Sequence, residues 1–193
     1  MLKRLYNWTL DLAGRKHAEQ WLGFIAFVES SFFPIPPDVM LLPMALANRK
    51  KAIRLALICT LGSVLGAVFG YAIGYYLWEG IGKDIINFYG YIDEFNRFQT
   101  GFIEWGAWLV FVFGLTFFPF KVITIASGVV ALNPLTFFLA VLASRAPRFL
   151  IEGFLILHFG DAIKEFIEKR LALVTSVTVF LVLFGFFAIK YIG

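Results

Sequence analysis

Residues 52–78, AIRLALICTLGSVLGAVFGYAIGYYLW, contain one charged side chain, Arg54, and exceed the ~20 apolar residues that a helix needs to cross a bilayer core. Residues 171–189, LALVTSVTVFLVLFGFFAI, carry no charge and make a second such span. A soluble domain of 193 residues would need far more polar surface than this chain has: it is 60% hydrophobic, 19% aromatic and 16% charged, with a mean hydropathy of +0.81. The expected fold class is therefore an all-α integral membrane protein, a single membrane domain over 1–193. A third span is expected over 136–159, although it holds Arg145, Arg148 and Glu152.

Two other apolar regions, 21–46 and 105–132, cannot be plain spans. In the first, Pro34, Pro36 and Pro37 divide the run into arms of only ~20 Å and ~15 Å, against a core of ~30 Å. Pro36 and Pro37 lack an amide hydrogen and disfavour a helical residue before them, so the helix must break within PIPP. A break at membrane depth exposes carbonyls that protein or water must cover. A re-entrant hairpin satisfies this. Charge agrees: a hairpin leaves Lys3, Arg4, Arg15 and Lys16 on the same face as Arg49, Lys50, Lys51 and Arg54, whereas a crossing would separate the two basic groups.

The remaining topology follows. The span 52–78 leaves the basic side, and the connection 79–104, with Glu79, Asp84, Asp93, Glu94 and Glu104 against Lys83 and Arg97, suits the outside. A second hairpin dips in over 105–132, the span 136–159 returns, and Lys164, Lys169 and Arg170 fall inside before the last span. The N-terminus is expected to be cytoplasmic. Residues 1–20 show helical spacing of Leu2, Leu5, Tyr6, Thr9, Leu12 and Ala13 and no signal-peptide core, which predicts an amphipathic surface helix or a solvated leader.

The two hairpins resemble each other. SFFPI at Ser31–Ile35 lines up with TFFPF at Thr116–Phe120, and at the same offset of 85 residues Asn48 lines up with Asn133. Interrupted segments repeated with opposite orientation are the plan on which secondary transporters build a site near the membrane midplane. The breaks are expected at Pro34, Pro36 and Pro37 in the first hairpin and around Thr116, Pro119 and Gly128 in the second.

Charges at membrane depth need partners or water. Glu29 and Asp38 flank the first break, and two carboxylates in one dry site would suit a proton carrier; alternatively both are hydrated, or Asp38 caps a helix starting at Val39. Arg145, Arg148 and Glu152 share a helix face, where Arg148 and Glu152 can pair and Arg145 is left for a carboxylate or an anionic head group; a clamp that only holds helices together is the other reading. Lys121, beside the second break, is either a site cation or a snorkelling side chain. Gly62, Gly66, Gly70 and Gly74 form a ridge for close helix approach. Cys59 stands alone, so no disulfide, metal site or cofactor is expected. Scattered basic residues give no nucleic-acid surface.

The pattern E-x-x-x-x-P-x-P-P-D over Glu29–Asp38 and the segment GLTFFPFKVITIASGVVALNP resemble the DedA, or VTT-domain (SNARE-associated), membrane proteins, and among them the small YqaA-like branch. The resemblance implies a transporter in a bacterial inner membrane with two opposed re-entrant hairpins. It implies proton dependence and, as partners, lipids such as polyprenyl phosphate or phospholipid, with Glu29 and Asp38 at the family's acidic positions. Thr116 stands where the larger members carry one arginine, and Lys121 sits one position before the other, so Arg145 and Arg148 become the candidates for the missing positive charge. The leading expectation is a proton-dependent lipid or anion translocase. The alternative is a non-transporting scaffold or assembly factor, with homo-oligomers open in either case. An intramembrane enzyme is not expected, because the histidines, His17 and His158, have no nucleophile–base arrangement around them.

Overall fold

The computed structural model describes residues 17–32, 36–116 and 119–162, and every regular element among them is helical. Most of the expected leader, Pro34 at the tip of the first break and the span 171–189 lie outside the described residues.

Helix α1 (Ala18–Ser31) stops short of the proline group, and α2 (Asp38–Ala47) starts directly after it. Pro37 sits at φ −65°, and its carbonyl accepts the amides of Met40 at 2.9 Å and Leu41 at 2.8 Å, so the ring that ends one helix pre-forms the start of the next. Asp38 is the first residue of α2 and makes no capping bond there, which sets aside the capping alternative.

A 3-10 turn (Arg49–Lys51) leads into α3 (Ala52–Leu77), which continues through a π turn (Trp78–Gly82) into α4 (Lys83–Tyr89). Gly90 ends this run in the left-handed region (φ 74°), with the amides of Gly90 and Tyr91 returning to the carbonyls of Asn87 and Ile86. Helix α5 (Ile92–Leu115) follows at once. The connection expected over 79–104 is thus itself helical, and the arm expected to begin at 105 is the second half of a longer helix. The reason is local: no proline lies between Pro43 and Pro119 to stop it.

After the second break, α6 (Phe120–Val129) ends at a turn in which Leu132 donates to the Ser127 carbonyl at 2.9 Å. Asn133 Oδ1 then accepts the amides of Leu135 (3.0 Å) and Thr136 (3.1 Å), and Pro134 occupies the first turn of α7 (134–162). The order of interrupted pair, asparagine and long helix occurs twice, as the offset repeat predicts.

Ion pairs show how the first pair folds back. Glu19 near the start of α1 meets Lys51 (3.1 Å) and Arg54 (2.8 Å) at the start of α3, so α1 and α2 return the chain to the end it left. In the second pair, Gln99 of α5 donates to the Val130 carbonyl just beyond α6 at 3.1 Å. The long helices α3 and α7 run antiparallel: Arg49 pairs with Asp161, and Gly153 lies against Ala52 and Ala56.

The core has two parts. Leu22, Leu41, Leu55, Phe149 and Ile156 unite α1 and α2 with the first half of α3 and the second half of α7. Val64, Val110, Phe120, Phe137 and Val141 unite α5 and α6 with the opposite halves of the same two helices.

The glycine ridge of α3 is a packing surface. A Cβ at Gly62 or Gly66 would collide with the carbonyls of Gly23 or Phe27 of α1, and one at Gly70 would lie 2.5 Å from Thr124 Oγ1 of α6. Gly74 abuts the Ile125 carbonyl, and Gly128 abuts the Tyr71 carbonyl. Gly128 therefore belongs to the α3–α6 contact near the far end of α6, and not to the break. The opposite face of α3 leaves Leu57, Leu61 and Leu65 exposed. Glycine inward and leucine outward is the arrangement of a helix whose solvent is hydrocarbon. Two runs, Arg49–Tyr89 and Ile92–Leu115, are long and apolar enough to cross a membrane.

Candidate functional site

Five of the six charged residues nominated by the sequence, all but Lys121, converge where the two core halves meet. Glu29 sits near the end of α1, which stops at Ser31, and Asp38 sits at the start of α2 on the other side of the same break. Across from them, α7 presents Arg145 and Arg148 one turn apart. Arg145 Nη2 lies 3.3 Å from Glu29 Oε2 and 3.5 Å from Oε1; Arg148 Nη2 donates to Asp38 Oδ2 at 2.8 Å. Each carboxylate beside the break thus has its own arginine.

Glu152, a turn further along α7, lies beside Asp38 and Arg148, and its Oε1 is buried without a hydrogen-bond partner among the described residues. The sequence allowed Arg148 to pair with Glu152 along the helix. Arg148 bonds across the interface to Asp38, since α2 approaches from the side and brings a second carboxylate to the guanidinium.

These groups are shielded from solvent. The Arg145 side chain is 3% exposed, Glu29 16%, Arg148 14% and Asp38 20%. Aromatic rings supply part of the shielding: the Arg145 guanidinium stands 3.8 Å from the Phe120 ring centroid, and that of Arg148 stands 4.7 Å from the Phe149 centroid. Phe120 is the first residue of α6, so the second break touches the cluster through a ring. Arg145 Nε is buried and has no acceptor among the described residues.

A hydroxyl network completes the site. Ser30 Oγ lies 2.9 Å from Glu29 Oε2 and 2.7 Å from Ser63 Oγ of α3, and Thr124 Oγ1 of α6 donates to the Ser30 carbonyl at 3.1 Å. Ser30, Ser63 and Thr124 are fully buried. Sequence reasoning missed these three residues and Phe120. A small hydroxyl residue in an apolar helix is the only signal they give, and it does not distinguish a site from ordinary packing.

Lys121 does not join the cluster: it makes no ion pair among the described residues, and its recorded bond is the acceptance of Thr124 Oγ1 by its backbone carbonyl at 2.9 Å. Thr116 likewise bonds locally, to the Phe113 carbonyl. A cavity of about 380 Å³ lined by Trp78, Lys83, Phe95, Asn96 and Gln99 lies at the α4–α5 junction, among none of these charges.

The model of the VTT domain matches residues 35–158, from the first break to the end of the arginine helix. The chain belongs to the VTT-domain, or DedA, family. This VTT-domain protein is 33% identical over 186 residues to an "Uncharacterized protein" of Haemophilus influenzae, covering 96% of each chain. It is 41% identical over 165 residues to the "Uncharacterized protein HI0703 homolog" of Histophilus somni, covering 86% of this chain and 84% of that one. No solved structure matches. The domain match takes in Asp38, Arg145, Arg148 and Glu152 and begins after Glu29.

Proposed function

We propose that this VTT-domain protein is a multi-pass transporter of the cell inner membrane that moves a lipid phosphate or related anion across the bilayer in exchange for, or together with, protons. The observation that carries the proposal is the pairing of Glu29 and Asp38, one on each side of a helix break, with two buried arginines on a single helix. Buried guanidinium groups suit an anionic head group, and Arg145 Nε is an N–H left over for one. Protonating a carboxylate releases its arginine to the anion, so proton and anion binding are coupled through the same side chains.

On this reading both interrupted helix pairs are re-entrant hairpins, the N-terminus is cytoplasmic, and the halves rock about the charge cluster as in other inverted repeats. The chemistry required is binding and release, with no covalent step.

Flux of a fluorescent lipid phosphate in proteoliposomes tests the proposal. The wild-type chain should move it across the bilayer under a pH gradient, and Glu29→Gln and Asp38→Asn should each lower that flux severalfold. Equal flux from wild type and both variants would defeat it. The burial of the same ion pairs favours a second reading, a scaffold in which they merely clamp α7 to α1 and α2. The scaffold reading expects no flux from the wild type and a loss of stability in both variants.

A further inference from the structure

Three carboxyl groups and two guanidinium groups meet in the buried cluster: Glu29, Asp38 and Glu152 against Arg145 and Arg148. If all five were ionised these groups would carry one uncompensated negative charge, which an apolar interior penalises. One proton makes it neutral. The contacts indicate where that proton goes. Glu29 already has Arg145 and the Ser30 hydroxyl, and Asp38 has Arg148 at 2.8 Å, whereas Glu152 Oε1 meets no donor among the described residues. Asp38 of α2 and Glu152 of α7 lie beside the same Arg148 guanidinium, and two carboxyl groups buried side by side hold together when one of them is protonated and donates to the other. Among the described residues, the other titratable group facing them is the buried Cys59 thiol of α3; Arg148 faces Glu152 from its own helix, and Arg145 and Glu29 complete that set.

We infer that Asp38 and Glu152 share a single proton, and that Glu152 is the group that takes it up and gives it away. Loading converts the cluster from a net charge of −1 to neutral, with the proton bound between two carboxyl oxygens and no other bond made or broken. Its use to drive transport rests on the function proposed above, while the shared proton does not.

Infrared spectra of the full chain in lipid nanodiscs read this directly, without any flux. In neutral buffer the wild type should show the carbonyl stretch of a buried protonated carboxyl group, and Glu152→Gln should abolish it. Shortening the acid by one methylene lengthens its bond to Asp38, so Glu152→Asp should keep the band at a changed frequency, whereas Glu29→Asp should leave it in place. The inference is overturned by a wild type with no such band, by a band that persists in Glu152→Gln, or by a band that moves with Glu29→Asp and not with Glu152→Asp. Should Glu152→Gln fail to fold, the comparison of the two aspartate variants decides alone. A protein that shows the band but moves no lipid phosphate would defeat the transport reading and uphold the shared proton.

Discussion

Arg145 is the more deeply buried of the two arginines in the cluster. It is 3% exposed, it faces Glu29, and its guanidinium covers the Phe120 ring. Removing one member of a buried pair strands the other charge, which typically costs about 3–5 kcal/mol, while removing both restores much of the loss. Arg145→Ala should therefore destabilise the detergent-solubilised protein by about that amount, and Glu29→Ala/Arg145→Ala by clearly less. Thermal unfolding of the two single variants and the double variant checks this; strictly additive losses would mean that the pair is not coupled. Position 145 shows how a residue can be legible and its partner not. Periodicity places Arg145, Arg148 and Glu152 on one face, but which carboxylate each arginine meets depends on α1 and α2, which lie more than a hundred positions earlier.

Among elements, the helix glycines divide into those of the α3 ridge, which need to stay small, and others that do not. A methyl group at Gly66 would press into the Phe27 carbonyl and one at Gly74 into that of Ile125, both rigid helix backbone. Gly66→Ala and Gly74→Ala should each cost about 1–3 kcal/mol by forcing the helices apart. Gly101, inside α5, has nothing within 4 Å of a built Cβ. Gly101→Ala should leave stability unchanged or raise it by up to about 1 kcal/mol, because alanine loses less backbone freedom on forming a helix. Heat-induced aggregation of the three variants separates the cases. The i+4 spacing made the ridge readable from sequence, but nothing in it shows that α1 covers one half and α6 the other. The sequence assigns Gly128 to the second break, and only the tertiary contact with Tyr71 moves it to the α3–α6 interface.

At the scale of the whole molecule, the antiparallel long helices put Arg49 and Asp161 at one end. With Cys59→Ser as background, Lys50→Cys and Asp161→Cys should be labelled by a membrane-impermeant maleimide from the same side of sealed vesicles. Asp84→Cys, in α4 beyond the far end of α3, should be labelled from the opposite side. Labelling of all three from one side would rule out the crossing of α3 on which the proposed topology depends.

From the residues alone one can read a helical fold that is apolar outward and breaks at proline at two corresponding points, and a short set of charges that need burial or partners. These are local consequences of hydrophobic run length, of missing amide hydrogens and of the cost of unpaired charge in hydrocarbon. The packed helices were needed to see that α5 runs unbroken from Ile92, that Glu29 and Asp38 face arginines and not Lys121, and that Ser30, Ser63, Thr124 and Phe120 close around them. Pairing across a core depends on how whole helices approach, and side chains far apart in the chain carry no local signal of that approach.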